Sequence, residues 1–88
     1  MTVVIKKDGN RESFNRGKIT KGIERAAKRV DMDSKKAKEV AARVARKVEE
    51  TFSNRDEVRS RDIRERVIKN LERGNKRVAK EFRSFSKD

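Results

Sequence analysis

The chain has 88 residues, a length that points to one domain with a small core, and 48% of them are charged against 32% hydrophobic. Its 27 Lys and Arg outnumber 15 Asp and Glu, and the net charge of +12 attracts polyanions: nucleotides, nucleic acid or an anionic surface. Cys and His are both absent, which excludes disulfides, thiolate metal sites and a Ser-His-Asp triad, and removes the commonest metal ligand and general base.

No apolar run approaches the roughly 20 residues that cross a bilayer, and Met1 to Ile5 is too short for a signal peptide. The expected setting is the cytoplasm, without a membrane partner. Thr2 to Lys6 is short and β-branched and reads as a strand; Asp8-Gly9 is a turn signal, and Arg11 to Phe14 reads as the return strand. Gly9 or Asn10 can take the positive φ that the turn requires. Asn15 is a suitable N-cap for a helix whose apolar stripe is Ile19, Ile23, Ala26, Ala27 and Val30. Gly17 and Gly22 weaken that helix, and a glycine there signals a close approach.

Asp33 or Ser34 can cap a second helix with the stripe Ala37, Val40, Ala41, Val44, Val48 and Phe52. Glu57-Val58-Arg59 reads as a short edge strand, and Ser60 as the cap of a third helix with Ile63, Val67, Ile68 and Leu71 inward. Gly74 stands where a C-terminal cap is expected, and Asn75 can start a last helix carrying Val78, Ala79, Phe82 and Phe85. The order is β-β-α-α-β-α-α. Three such short strands are not stable alone, so the expected α+β fold is a four-helix bundle capped at one end by a small three-stranded β-sheet, over residues 1–88 as a single domain.

Neither a Walker A sequence nor G-x-G-x-x-G is present, so a nucleotide site would have to be built from side chains on the hairpin and helix ends. The stretch from Val4 to Ile19 is the informative one. Strand alternation sends Lys6 and Lys7 to opposite sides, while Glu12 and Phe14 share a face. Lys18 lies in the first turn of a helix, where the dipole disfavours a cation and favours an anion; a phosphate chain between Lys6 or Lys7 and Lys18 would account for it. Glu12 and Asn15 could then meet a base edge or ribose. The alternative is a charged hairpin with ordinary solvated lysines.

This stretch resembles the ATP-cone signature, roughly V-x-K-R-D-G-x-x-E-x-F-x-x-x-K-I, through Val4, Lys6, Lys7, Asp8, Gly9, Glu12, Phe14, Lys18 and Ile19. Lys7 replaces the usual Arg. A second landmark, a strand followed by S/T-x-x-I, is matched by Val58 to Ile63, and Val78 to Phe85 echoes a third. The resemblance implies a four-helix bundle under a small sheet and a non-catalytic regulator that binds ATP or dATP, with Mg²⁺ left open. It implies Lys6 and Lys7 on phosphates, Glu12 and Asn15 at the adenosine end, and Lys18 and Ser60 helping to hold the nucleotide. Val4 would form a wall of the base pocket. Arg64 stands where reductases can carry a phosphate-contacting His, and Lys87 is the candidate for a late C-terminal Lys.

Such domains occur in ribonucleotide reductase large subunits and in the repressor of their genes. The regulated partner is therefore expected to be a separate protein or a fused domain outside this chain, and a nucleotide-dependent homo-oligomer is a further expectation. Two other readings are carried: a basic nucleic-acid-binding module, and an oligomerisation module that has lost nucleotide binding.

Overall fold

A computed structural model describes residues 1–85. Lys87, the candidate late lysine, lies outside the described residues. The elements are β1 (Val3–Ile5), β2 (Arg11–Ser13), α1 (Arg16–Arg29), α2 (Ser34–Phe52), β3 (Glu57–Arg59), α3 (Ser60–Glu72) and α4 (Lys76–Ser84). This is the order read from the sequence, and the fold is the expected α+β bundle with its sheet.

Strand β1 is central, in the sheet order β2-β1-β3. It pairs antiparallel with β2, Val4 opposite Glu12, and parallel with β3, Val4 opposite Val58. The hairpin loop is Lys7-Asp8-Gly9. Gly9 donates its backbone N–H to the Lys6 carbonyl at 2.9 Å and has φ +90°, and Asn10 closes the loop by accepting from Lys6 N–H at 2.8 Å. A three-residue loop of this kind needs a left-handed residue at its end, and glycine adopts that conformation without a Cβ clash. Asp8 holds the loop from inside, accepting from the backbone and side-chain nitrogens of Asn10 at 3.0 and 2.9 Å.

The helices form where apolar spacing and caps agree. Asn15 caps α1, accepting from Lys18 N–H, and Asp33 caps α2, accepting from Lys36 N–H, each at 3.3 Å. The four stripes meet in a core whose largest fully buried members are Ile23, Val40, Val44, Val48, Val67, Leu71 and Val78. Val4 and Val58, 8% and 3% exposed, join the sheet to that core. Thr2 fixes the sheet's position: its hydroxyl shares one proton between the Arg55 carbonyl at 2.9 Å and the Phe52 carbonyl at 3.3 Å, and Val3 N–H donates to Asp56 O at 2.8 Å. These bonds tie the start of β1 to the end of α2.

Two helix ends differ from the sequence reading, and a third, the end of α1, carried no expectation there. Helix α1 ends in a Schellman arrangement, with Met32 N–H on Ala27 O and Asp31 N–H on Lys28 O, each at 3.0 Å, and Asp31 at φ +61° in the place that glycine usually holds. Gly74 is not left-handed; α3 ends at Glu72 with Arg73 in the C-cap position, and Asn75 N–H donates to Leu71 O at 2.8 Å. Strand β3 runs straight into α3, so Ser60 is the first helical residue and Arg59 holds the cap position, without a side-chain cap bond.

Candidate functional site

Cross-strand partners share a face of a sheet, and residues two apart along a strand do as well. The buried pair Val4 and Val58 therefore marks the face toward the helices, and it carries Glu12 opposite Val4 and Lys6 two residues beyond Val4. Continuing each chain by two brings Phe14 and Ser60 to the same side. Under this face lies a cavity of about 320 Å³. Seven of the eight residues singled out from the sequence line it: Val4, Lys6, Glu12, Asn15, Lys18, Ser60 and Arg64. Lys7 does not; it is exposed in the hairpin loop, because alternation sends it away from the face that Val4 defines.

Glu12 organises the polar side of the cavity. Its carboxylate accepts from Lys18 Nζ at 2.8 Å and lies 3.5 Å from Lys6 Nζ. The hydrogen bond from Lys18, with the positive charges of Lys18 and Lys6, holds the Glu12 carboxyl below the usual carboxylate range against a smaller opposing effect of desolvation. The anion beside Lys18 in the first turn of α1 is thus the Glu12 carboxylate. Asn15 has its side-chain oxygen on Lys18 N–H, so its cap and the lysine's position are coupled. Gly17 leaves room for that cap, since a Cβ there would stand 3.1 Å from Asn15 Oδ1.

Arg64 comes from the first turns of α3 and lines the same cavity as Lys6 and Lys18. Its Nη2 donates to the Arg83 carbonyl at 2.6 Å and approaches the Phe85 carbonyl at 3.4 Å. Arg83 is in the last turn of α4 and Phe85 is its C-cap, so neither carbonyl has an intrahelical donor. The guanidinium therefore closes the end of α4 while remaining part of the cavity wall.

The rest of the wall is apolar. Phe14, Ile19, Ile63, Val67, Phe82 and Phe85 line it with Gly22. Phe82 and Phe85 stand with ring centroids 6.0 Å apart at a tilt of 48°, and the Arg29 guanidinium lies 5.4 Å from the Phe85 centroid. Gly22 permits this packing: a Cβ there would come within 3.3 Å of Phe82 Cε2. The sequence reading placed Phe82 and Phe85 with the core of the last helix and did not assign them to the site. The usable signal was that three of only four aromatic residues, Phe14, Phe82 and Phe85, fall in or beside the two terminal landmarks.

An apolar floor, a rim of cations and amides, and the starts of α1 and α3 at its edge make this a ligand cavity of mixed character under a small sheet. Such a cavity under a β-β-α-α-β-α-α sheet and bundle defines a class of small ligand-binding α+β modules. The chain belongs to the ATP-cone family, whose model, an ATP cone domain, matches residues 2–88. The family is one of adenine-nucleotide-binding regulatory domains.

Among curated relatives, the chain is similar to the transcriptional repressor NrdR of Synechococcus sp. (strain JA-3-3Ab), 34% identical over 87 residues, covering 94% of this chain and 42% of the relative. It is similar to the NrdR repressor of Sorangium cellulosum (strain So ce56), 34% identical over 89 residues, covering 97% and 57%. The NrdR repressor of Streptococcus pneumoniae (strain Hungary19A-6) is 37% identical over 87 residues, covering 94% and 54%. The chain spans about half the length of the curated relatives it matches.

Proposed function

We propose that this chain is a non-catalytic sensor of ATP or dATP that reports nucleotide occupancy to a regulated partner. The observation that carries this reading is the convergence of Lys6, Lys18 and Arg64 with an apolar, phenylalanine-lined floor in one 320 Å³ cavity. A planar base suits the apolar wall of Phe14, Phe82 and Phe85, and the phosphates suit the cations beside the N-termini of α1 and α3. Glu12 and Asn15 supply acceptors and donors for the nucleoside.

The cavity's cations already have internal partners, and this gives the sensor its mechanism. Lys6 and Lys18 rest on Glu12, and Arg64 rests on the end of α4. Phosphates compete for these groups. When they win, Glu12 loses its lysine partners and the Arg64 hold on the last turn of α4 is released. Nucleotide thus favours a different arrangement of α4, and a partner that reads α4 sees the change; a ligand shifts such an equilibrium by its differential affinity for the two arrangements. By similarity to these transcriptional repressors, the regulated function is transcription.

Isothermal titration with ATP and dATP, with Mg²⁺ and with EDTA, tests the reading. Saturable binding weakened at least tenfold by Lys6→Ala or Lys18→Ala is the expected result. Unchanged affinity in both variants would remove the site.

A further inference from the structure

The positive charge of this chain is unevenly placed. Helix α1 carries six Lys and Arg against one Glu, and α4 carries four against one, so this pair holds +8 of the net +12. Helices α2 and α3 carry six against three and four against three, together +4, and the remaining residues sum to zero. Helices α1 and α4 pack side by side, with Gly22 against Phe82 and Arg29 paired to Glu81 at 3.3 Å.

On α1 the cations Lys21, Arg25 and Lys28 are exposed at i, i+4 and i+7, a stripe of about 10 Å along the helix. On α4 Lys76, Arg77 and Lys80 are exposed in the first turns. None of the six makes an ion pair among the described residues. The two carboxylates of this helix pair are Glu24, half-buried, and Glu81, neutralised by Arg29. Lys35, Arg43 and Arg46 on the outer face of α2 also make no ion pair among the described residues, but two exposed carboxylates, Glu39 and Glu50, stand one turn from them, where α1 has only the half-buried Glu24 one turn from Lys21 and Lys28.

We infer that the outer face of α1 and α4 is a docking surface for the phosphate backbone of a nucleic-acid duplex. A duplex presents one negative charge per about 1.7 Å of axis, so a stripe of unpaired cations of this length meets several phosphates and releases their counterions. Contacts to phosphates carry no sequence information, so docking through these six cations is backbone-directed and indifferent to sequence. None of the six cations lines the cavity, so this inference is independent of the nucleotide reading.

The test is fluorescence anisotropy of a mixed-sequence 20-base-pair duplex, as DNA and as RNA, titrated with the full chain at several KCl concentrations. Three triple variants are compared: Lys21→Gln/Arg25→Gln/Lys28→Gln on α1, Lys76→Gln/Arg77→Gln/Lys80→Gln on α4, and the equal-charge control Lys35→Gln/Arg43→Gln/Arg46→Gln on α2. Three phosphate contacts correspond to about 2.7 in the slope of log K against log salt. The α1 and α4 variants are expected to lose about 2 to 3 from that slope and the α2 control less than 1. Circular dichroism melts identify any variant that fails to fold, and either face variant suffices.

Equal losses in all three variants would mean a diffuse polycation effect and would overturn the inference, as would wild-type binding too weak to saturate at 50 mM KCl. The same variant pattern on anionic lipid vesicles, without it on duplex, would assign the face to a membrane surface and likewise overturn it.

Discussion

Replacing Gly22 by Ala sets stability against ligand affinity at one atom. Gly22 lies inside α1, where Ala is favoured over Gly by about 0.8–1 kcal/mol. Against this, the new methyl would stand 3.3 Å from Phe82 Cε2, so the ring must give by a few tenths of an ångström. In a closed core such overpacking costs roughly 1–3 kcal/mol. Phe82 is not in a closed core: it is half-buried and borders the 320 Å³ cavity, so it can shift into open space. The helix term therefore wins, and we expect a net gain of about 0.5–1 kcal/mol, raising Tm by roughly 3–6 °C for a domain of this size. The same shift takes space from the ligand. Losing one methylene-sized contact, about 0.8 kcal/mol, weakens ATP binding roughly fourfold. Thermal melts by circular dichroism and calorimetric titration read the two effects separately. A lower Tm would show that Phe82 cannot yield and belongs to the rigid core; a higher Tm with unchanged affinity would show that the ligand does not use this wall.

Further expectations follow from the other contacts. Thr2→Val removes the hydroxyl that ties β1 to Phe52 O and Arg55 O and should lower stability by about 1–2 kcal/mol in urea titrations; a change below about 0.3 kcal/mol would mean that water replaces it fully. Glu12 has a depressed carboxyl pKa in the folded chain, so its contribution is present above its ordinary value of 4.5 and is lost as pH falls through the lower folded value. Melts from pH 6 to pH 3 should therefore show a steeper acid loss in the wild type than in Glu12→Gln, and parallel profiles would refute the Lys6–Glu12–Lys18 cluster. Arg64→Lys replaces the Nη2 that serves both carbonyls with an ammonium on a shorter stem and should weaken the end of α4 by about 1.5 kcal/mol. Hydrogen exchange should quicken in the last turn of α4 and not in α2; uniform quickening would assign Arg64 a general packing role.

The features legible in the sequence are those set by local periodicity and caps. The apolar stripes of all four helices, the caps at Asn15 and Asp33, and the edge strand around Val58 each follow from a handful of neighbouring residues. The family pattern then picked out seven residues that the fold brings to one cavity. What stayed hidden depends on partners far along the chain. Periodicity shows that Phe82 faces inward, but not that it meets a cavity. Strand alternation separates Lys6 from Lys7, and only the burial of Val4 decides which lysine turns in; the two-residue step from Val4 to Lys6 could have decided it. Asp31 ends α1 in a left-handed conformation without the glycine that usually signals it, while Gly74 carries that signal and does not use it. Thr2 and Arg64 bond to backbone carbonyls, which leave no trace in residue identity.

The parallel seam between β1 and β3 has a consequence for the order of assembly. The β1–β2 hairpin closes over a few residues, but Val4 meets Val58 only after α1 and α2 have both been laid down between them. Closing a long loop carries a larger entropic penalty than closing a short one, and contacts distant in sequence form late. The helix pairs can therefore come together before the third strand docks, and the cavity, which has β1 and β2 on one side and the start of α3 on the other, is completed at that last step. A ligand held by Lys6 and Lys18 on one side and Ser60 on the other spans the seam. Its arrival would slow the seam's separation more than it slows fraying elsewhere, turning the last joint to form into the one most strengthened by occupancy.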